Sequence, residues 1–224
     1  MENYKFTTNA LAVYLAHNFV SKEDFGELSA IHFSFFDDGL LSVNAVDGHK
    51  CGSFCQKYTS DSILEKGFNL SVIFSKEQVK MLKEATKKNS DITFQNTSPQ
   101  EGVLVTAGAY QPFFVTRIEM SFSLKAGFPQ FYRKAWAEYK GNTADGTTSV
   151  PMKDLAAYDF SKVVKGVGSP TIRQAGLDTN IIDYPEESDK KLLPFEFLGV
   201  LMSRKLTEEE REFNIPQWCI SSSC

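Results

Sequence analysis

The sequence predicts an α+β fold, with tandem βαβββ units whose helices pack on one face of antiparallel sheets. Short apolar runs separated by turn residues mark strands joined by tight turns. Two segments, Thr7 to Asn18 and Ser75 to Lys88, instead place apolar side chains at helical spacing. The order of these elements recurs along the chain, although the residues themselves do not.

In chain order, the first helix sets Leu11, Tyr14, Leu15 and Phe19 at helical spacing, with Thr8 or Asn9 as its cap. An apolar strand over Ser29–Phe36 ends in the turn Asp37-Asp38-Gly39. Leu40–Val46 alternates as a strand and runs into a second turn, Asp47-Gly48-His49, with Cys51 beyond it near a strand end. Phe68–Phe74 is the next strand. The following helix opens on a capping box, Ser75 at the N-cap and Gln78 three residues later. Asp91–Phe94, Gly102–Thr106 and Phe113–Ile118 read as three short strands. Residues 1 to about 120 thus form two units.

Gly127-Phe128-Pro129 breaks the pattern, and the polar stretch Lys140–Thr148 reads as a linker. A third, abbreviated unit follows. It has a strand at Leu155–Tyr158, a short helix over Asp159–Val167, and strands at Thr171–Ala175, Asn180–Tyr184 and Phe195–Met202. Thr207 and Glu210 form a capping box for a last helix, and the remaining tail has no regular period.

Composition narrows the function classes. A chain of 224 residues with 42% hydrophobic and 23% charged residues is long enough for one large or two small globular domains. No run of eighteen apolar residues exists, and Met1-Glu-Asn-Tyr-Lys-Phe lacks the pattern of a secretory signal, so a cytoplasmic protein with no membrane partner is expected. The pairs Cys51/Cys55 and Cys219/Cys224 have a spacing zinc tolerates but lack a zinc-knuckle context, so neither metal nor cofactor is expected. The net charge of −4 argues against a protein that grips DNA by overall basicity, so any DNA contact must come from a local stripe.

Several short stretches, taken in order, resemble one family. They are Val20-Ser-Lys-Glu, Leu28-Ser-Ala-Ile-His-Phe, Asp38-Gly39-x-Leu41 and Ala45-Val-Asp47-Gly48-His49-Lys50. Further on come Phe114-Val-Thr-Arg-Ile, then Gly127-Phe128-Pro129-x-Phe131-Tyr132-Arg133, and last Gly199-Val-Leu-Met202-Ser-Arg204. Together they resemble the second and third domains of the bacterial DNA polymerase III β subunit, the β sliding clamp. The resemblance covers residues 5 to 134, and 150 to 206 more loosely. It implies the DNA-clamp fold, shortened by the first domain and by half of the third. The expected domains are a clamp-like one over 1–134, a linker over 135–149, a partial clamp-like one over 150–206, and a C-terminal helix and tail over 207–224.

The same resemblance implies a groove for short peptides of polymerases or other replication and repair proteins. Residue by residue it falls on Leu28, Val46, Gly48, His49, Lys50 and Cys51, on Pro129 and Arg133, and on Val200, Leu201, Met202, Ser203 and Arg204. Cys51 and Ser203 replace residues the family usually has as Leu and as Pro or Met. Read without the resemblance, Val200–Met202 is a buried strand and Asp47-Gly48-His49 a hairpin turn.

Clamp helices face DNA. Lys76, Lys80, Lys83 and Lys87 fall at three- and four-residue steps and form one stripe, to which Lys162 and Lys165 add. A solvated helix face explains the stripe equally. The implied role is a sliding-clamp-like replication accessory with weak contact to double-stranded DNA, and the missing domains leave homo-oligomer formation open. The alternative is a monomeric decoy or adaptor of the same fold that does not encircle DNA. A small hydrolase ranks third. Asp47, His49 and Cys51 or Cys55 would have to supply it, and no catalytic motif accompanies them, so no catalytic residue and no enzyme is expected.

Overall fold

The computed structural model describes residues 4–23, 26–36, 39–61, 64, 68–88, 90–98, 102–119, 150, 152–174 and 179–202. The linker, the helix at Thr207, the tail, Cys219 and Cys224 lie outside the described residues. The first unit comprises β1 (Lys5–Asn9), α1 (Ala10–Ala16), β2 (Ile31–Phe35), β3 (Leu40–Val46), and β4 (Lys50–Lys57) with its short continuation β5 (Thr59–Ser60). The second comprises β6 (Asn69–Ile73), α2 (Lys76–Lys87), β7 (Asp91–Ser98), β8 (Gly102–Ala107) and β9 (Phe113–Ile118). The third comprises α3 (Met152–Leu155), β10 (Thr171–Gln174), β11 (Thr179–Asp183), α4 (Glu187–Leu192) and β12 (Glu196–Met202).

The first two units are βαβββ, and they exchange their leading strands. β1 leaves its own unit to pair with β7 of the second, and β6 pairs with β2 of the first. Each unit's last run of chain then turns back to its own leading strand, β5 onto β1 and the far half of β9 onto β6. Because β4 and β5 are separated only by Tyr58, the body closes on itself. The third unit adds to the outer edge of β4 through β12, so all twelve strands form one sheet ending at β10.

Local chemistry accounts for the helices. The Asn9 side chain accepts from the Leu11 amide at 2.8 Å and starts α1, in which all but Tyr14 are buried. The predicted capping box of α2 forms in full, with Ser75 Oγ accepting from Gln78 N and Gln78 Oε1 accepting from Ser75 N. Gln78 Nε2 also donates to the Phe114 carbonyl at 2.7 Å, fixing the start of α2 to β9. Leu82 and Ala85 face inwards, while Lys76, Lys80, Lys83 and Lys87 are exposed. Among the described residues no helix is long and apolar enough to cross a membrane.

Five readings needed correction. The helix read from Thr7 begins at Ala10, because Phe6 and Thr8 turn inwards at strand period and pair with Phe94 and Ile92. β4 was not anticipated, since Gly52 and two cysteines dilute its pattern. Leu155–Tyr158 is helical rather than a strand, as a short apolar run does not by itself distinguish the two. The helix expected over Asp159–Val167 shrinks to one 3-10 turn, Phe160–Lys162, where Asp159 caps Ser161 and Gly166 at φ 91° breaks the chain's direction. α4, without an apolar period, was missed as well.

Candidate peptide-binding groove

The turn between β3 and β4 is built by one carboxylate. Asp47 Oδ1 accepts from the backbone amides of His49 and Lys50, both at 3.0 Å, and Gly48 supplies the positive φ of 94° that the turn requires. Asp47 Oδ2 meets the Lys50 ammonium, and Asp154 of α3 approaches the same ammonium at 3.6 Å. Lys50 thereby ties the hairpin to the third unit.

β12 is drawn alongside this turn. Its residues pair from Glu196↔Cys55 to Leu201↔Lys50, and the Met202 amide donates to the His49 carbonyl at 2.8 Å. Beneath the seam two glycines face each other, Gly52 on β4 and Gly199 on β12. A Cβ on Gly52 would stand 2.7 Å from the Phe19 ring, and one on Gly199 would stand 2.3 Å from Tyr158. The absent side chains let both rings lie flat against the strands, 4.9 Å apart edge to face. From there the Tyr158 hydroxyl donates to the Val200 carbonyl at 2.8 Å, with the Cys51 carbonyl at 3.3 Å. Burial pushes the Tyr158 phenol well above its ordinary value, so the proton for this bond stays in place.

Strand alternation sorts the expected groove residues onto two faces. Val46, Cys51, Val200 and Ile181 stand side by side across β3, β4, β12 and β11, on the face opposite the helices. With Leu198 they form a small apolar cluster separate from the main core. Met202 shares that face and is 45% exposed, so the cluster has an open apolar end beside the exposed Gly48 and His49. Leu201 and Lys50 point to the other face, Leu201 fully buried in the core and Lys50 in its ion pairs. Leu28 is half-buried in the 3-10 turn Gly26–Ser29. Pro129, Arg133, Ser203 and Arg204 lie outside the described residues.

Ile181 and Leu198 were missed by sequence reading. Period two along Leu198, Val200 and Met202 was the available signal, but it was masked by Gly199 and Leu201, which make the segment read as one apolar run. The Tyr158 strut and the Gly52–Gly199 pair had no local signal.

The basic stripe on α2 is solvent-facing. Lys87 pairs with Glu84 at 2.6 Å, and Lys162 approaches Asp159 at 3.7 Å. Lys165 lines a hollow with Leu11 of α1 and Thr86 of α2, which places it next to that stripe's C-terminal end. Two of the residues a hydrolase would need are otherwise engaged. Asp47 is committed to the turn and to Lys50, and burial together with Glu196 pushes the Cys55 thiol up, away from the reactive thiolate. Cys51 and Cys55 lie four residues apart on one extended strand.

No protein-family model and no curated protein matches the sequence. Solved structures do. The chain is similar to the DNA polymerase III β subunit of Thermotoga maritima, with a TM-score of 0.56 at 10% identity over 98% of this chain and 67% of that one. The β chain of Streptococcus pneumoniae gives 0.54 at 9% identity over 95% and 68%. The Helicobacter pylori β clamp bound to a DNA ligase peptide gives 0.50 at 10% identity over 99% and 69%. At about two-thirds of their length, with units that exchange leading strands and a third unit laid on β4, the chain has the α+β fold of the bacterial β sliding clamps.

Proposed function

We propose that this protein is a sliding-clamp-like replication accessory that receives a short apolar peptide of a partner protein. The seat is the slot between the β3–β4 turn and the end of β12. One observation carries the reading: the apolar row Val46, Cys51, Val200 and Ile181 ends in an exposed Met202 that is hydrogen-bonded to the turn. Cys51, Val200 and Ile181 are already buried and form the floor, so a Leu or Phe of the ligand docks at the open end, on Met202 and half-buried Val46, for about 2 kcal/mol, and Met adapts to more than one side-chain shape. The DNA ligase peptide bound by the Helicobacter pylori clamp supports a peptide as the ligand class. In this reading the partners are peptides of replication proteins rather than substrates.

The test is calorimetric titration of a clamp-binding peptide onto the purified chain. Saturable binding that weakens about tenfold in Met202→Ala, or about 1.4 kcal/mol, is the expected result. Flat isotherms for both proteins would remove the reading.

A second reading, an adaptor that does not encircle DNA, is favoured by the closed body. β5 returns to β1, and the third unit ends in the four-residue edge strand β10. Among the described residues its helices α3 and α4, of four and six residues, offer little to line a ring. Sedimentation separates the two readings: a stable oligomer at micromolar concentration supports a ring, and a monomer supports the adaptor.

A further inference from the structure

We propose that a second ligand site lies at the other end of β4, where β12 and β1 leave a gap. It takes an uncharged apolar ligand carrying a peptide-like amide.

β12 stops at Glu196, opposite Cys55, and β1 meets the chain again only at Thr59. Between them opens a hollow of about 700 Å³ beside Gln56, Lys57 and Tyr58. The backbone contributes to it. His49 turns its carbonyl towards β12, whereas Tyr58 donates away from β12, to Gly39 at 3.1 Å. By the alternation of an antiparallel strand, the N–H and C=O of Lys57 face the side where β12 has ended.

Two side chains lining the hollow supply the specific signal. Gln56 is 5% exposed and Thr8 is 3% exposed. Both ends of the Gln56 carboxamide and the Thr8 hydroxyl are buried with no hydrogen-bond partner. Native structures leave few such atoms unpaired, and here three of them, on two strands, belong to residues that line one space. A group that offers an N–H and a C=O together, as an amide does, answers a carboxamide on both of its ends. Leu40 and Phe195 add apolar wall. Of the lysines lining it, Lys190 is already paired with Glu187 at 2.9 Å and Lys57 stands with Asp91 and Glu196, so no excess of cations favours an anionic ligand.

The test follows the Gln56 side-chain amide by NMR in the full chain during titration with N-acetyl-leucine methylamide. Saturable shifts of that resonance in the millimolar range are expected. Gln56→Met and Thr8→Val should each weaken binding at least fivefold while the melting temperature holds or rises, because each removes an unsatisfied group. Met202→Ala should leave this binding untouched, which separates the site from the slot. A Gln56 resonance that does not move in the unmodified chain would overturn the proposal, as would equal binding by the variants. So would a fall in melting temperature in both variants, which would show the orphan groups to be satisfied internally.

Discussion

Single atoms decide whether the third unit attaches. Gly199 has no room for a methyl group, since the Tyr158 ring occupies the place of its Cβ at 2.3 Å. Gly199→Ala is expected to cost about 2–3 kcal/mol, the scale of overpacking a core. Faster amide exchange along β12 than along β2 would show the loss to be local to the seam. His32 is a second decisive residue. It is 1% exposed, with Nε2 against the Glu27 carbonyl at 3.0 Å and Nδ1 against the Ser71 hydroxyl at 2.9 Å. These partners suit a neutral ring that donates from Nε2 and accepts at Nδ1, and burial lowers its pKa to about 4. The unfolded chain, with an ordinary histidine near 6.5, binds the proton first. Stability contributed by neutral His32 is therefore complete above pH 6.5 and is lost as pH falls from 6.5 towards 4, by at most about 3 kcal/mol. Burial lowers the His17 pKa to about 4 as well, so urea unfolding across that range should show the slope of two histidines, and His32→Asn should remove about half of it.

At the scale of elements, legibility depended on whether the controlling interaction was local. The capping box at Ser75 and Gln78 is contained in four residues, so sequence reading placed both the start of α2 and the bond pattern there. Ser75→Ala should lower stability by about 1 kcal/mol in thermal unfolding, with the first turn of α2 losing exchange protection first. β3 and β9 were read at their observed bounds because both lie between clear turn signals. β1 and β4 were not, since each is stabilised by strands distant in sequence: β1 by β7, and β4 by β3 and β12 together. The groove shows the same division. Its turn, Asp47-Gly48-His49, was legible as a hairpin turn from its Asp-Gly pair, whereas the shared face of Val46, Cys51, Val200 and Met202 came only with the strand pairing. That Leu201 and Lys50 face the opposite way follows from strand pleat alone, and Ile181 became visible only once β11 was paired to β12.

For the whole molecule, a net charge of −4 coexists with a cationic stripe on one helix. Lys76, Lys80 and Lys83 have no ion pair among the described residues, whereas Lys87 and Lys162 are partly answered by neighbours. DNA contact through α2 should therefore be weak, independent of sequence and steeply salt-dependent. Lys80→Glu with Lys83→Glu should reduce the slope of log affinity against log salt by about two in fluorescence anisotropy, leaving peptide binding at the slot unchanged. An unchanged slope would assign the stripe to ordinary solvation.

The trading of β1 for β6 has a consequence for assembly. Each of the first two units lends its opening strand to the other's sheet, so neither half has a complete sheet of its own to collapse onto. The nascent chain must wait for Asp91–Ser98 before Lys5–Asn9 finds its place, a closure spanning more than eighty residues. Maturation should be slow and all-or-none, with fragments cut between Ser60 and Asn69 remaining unstructured apart and regaining a common melting transition only when mixed.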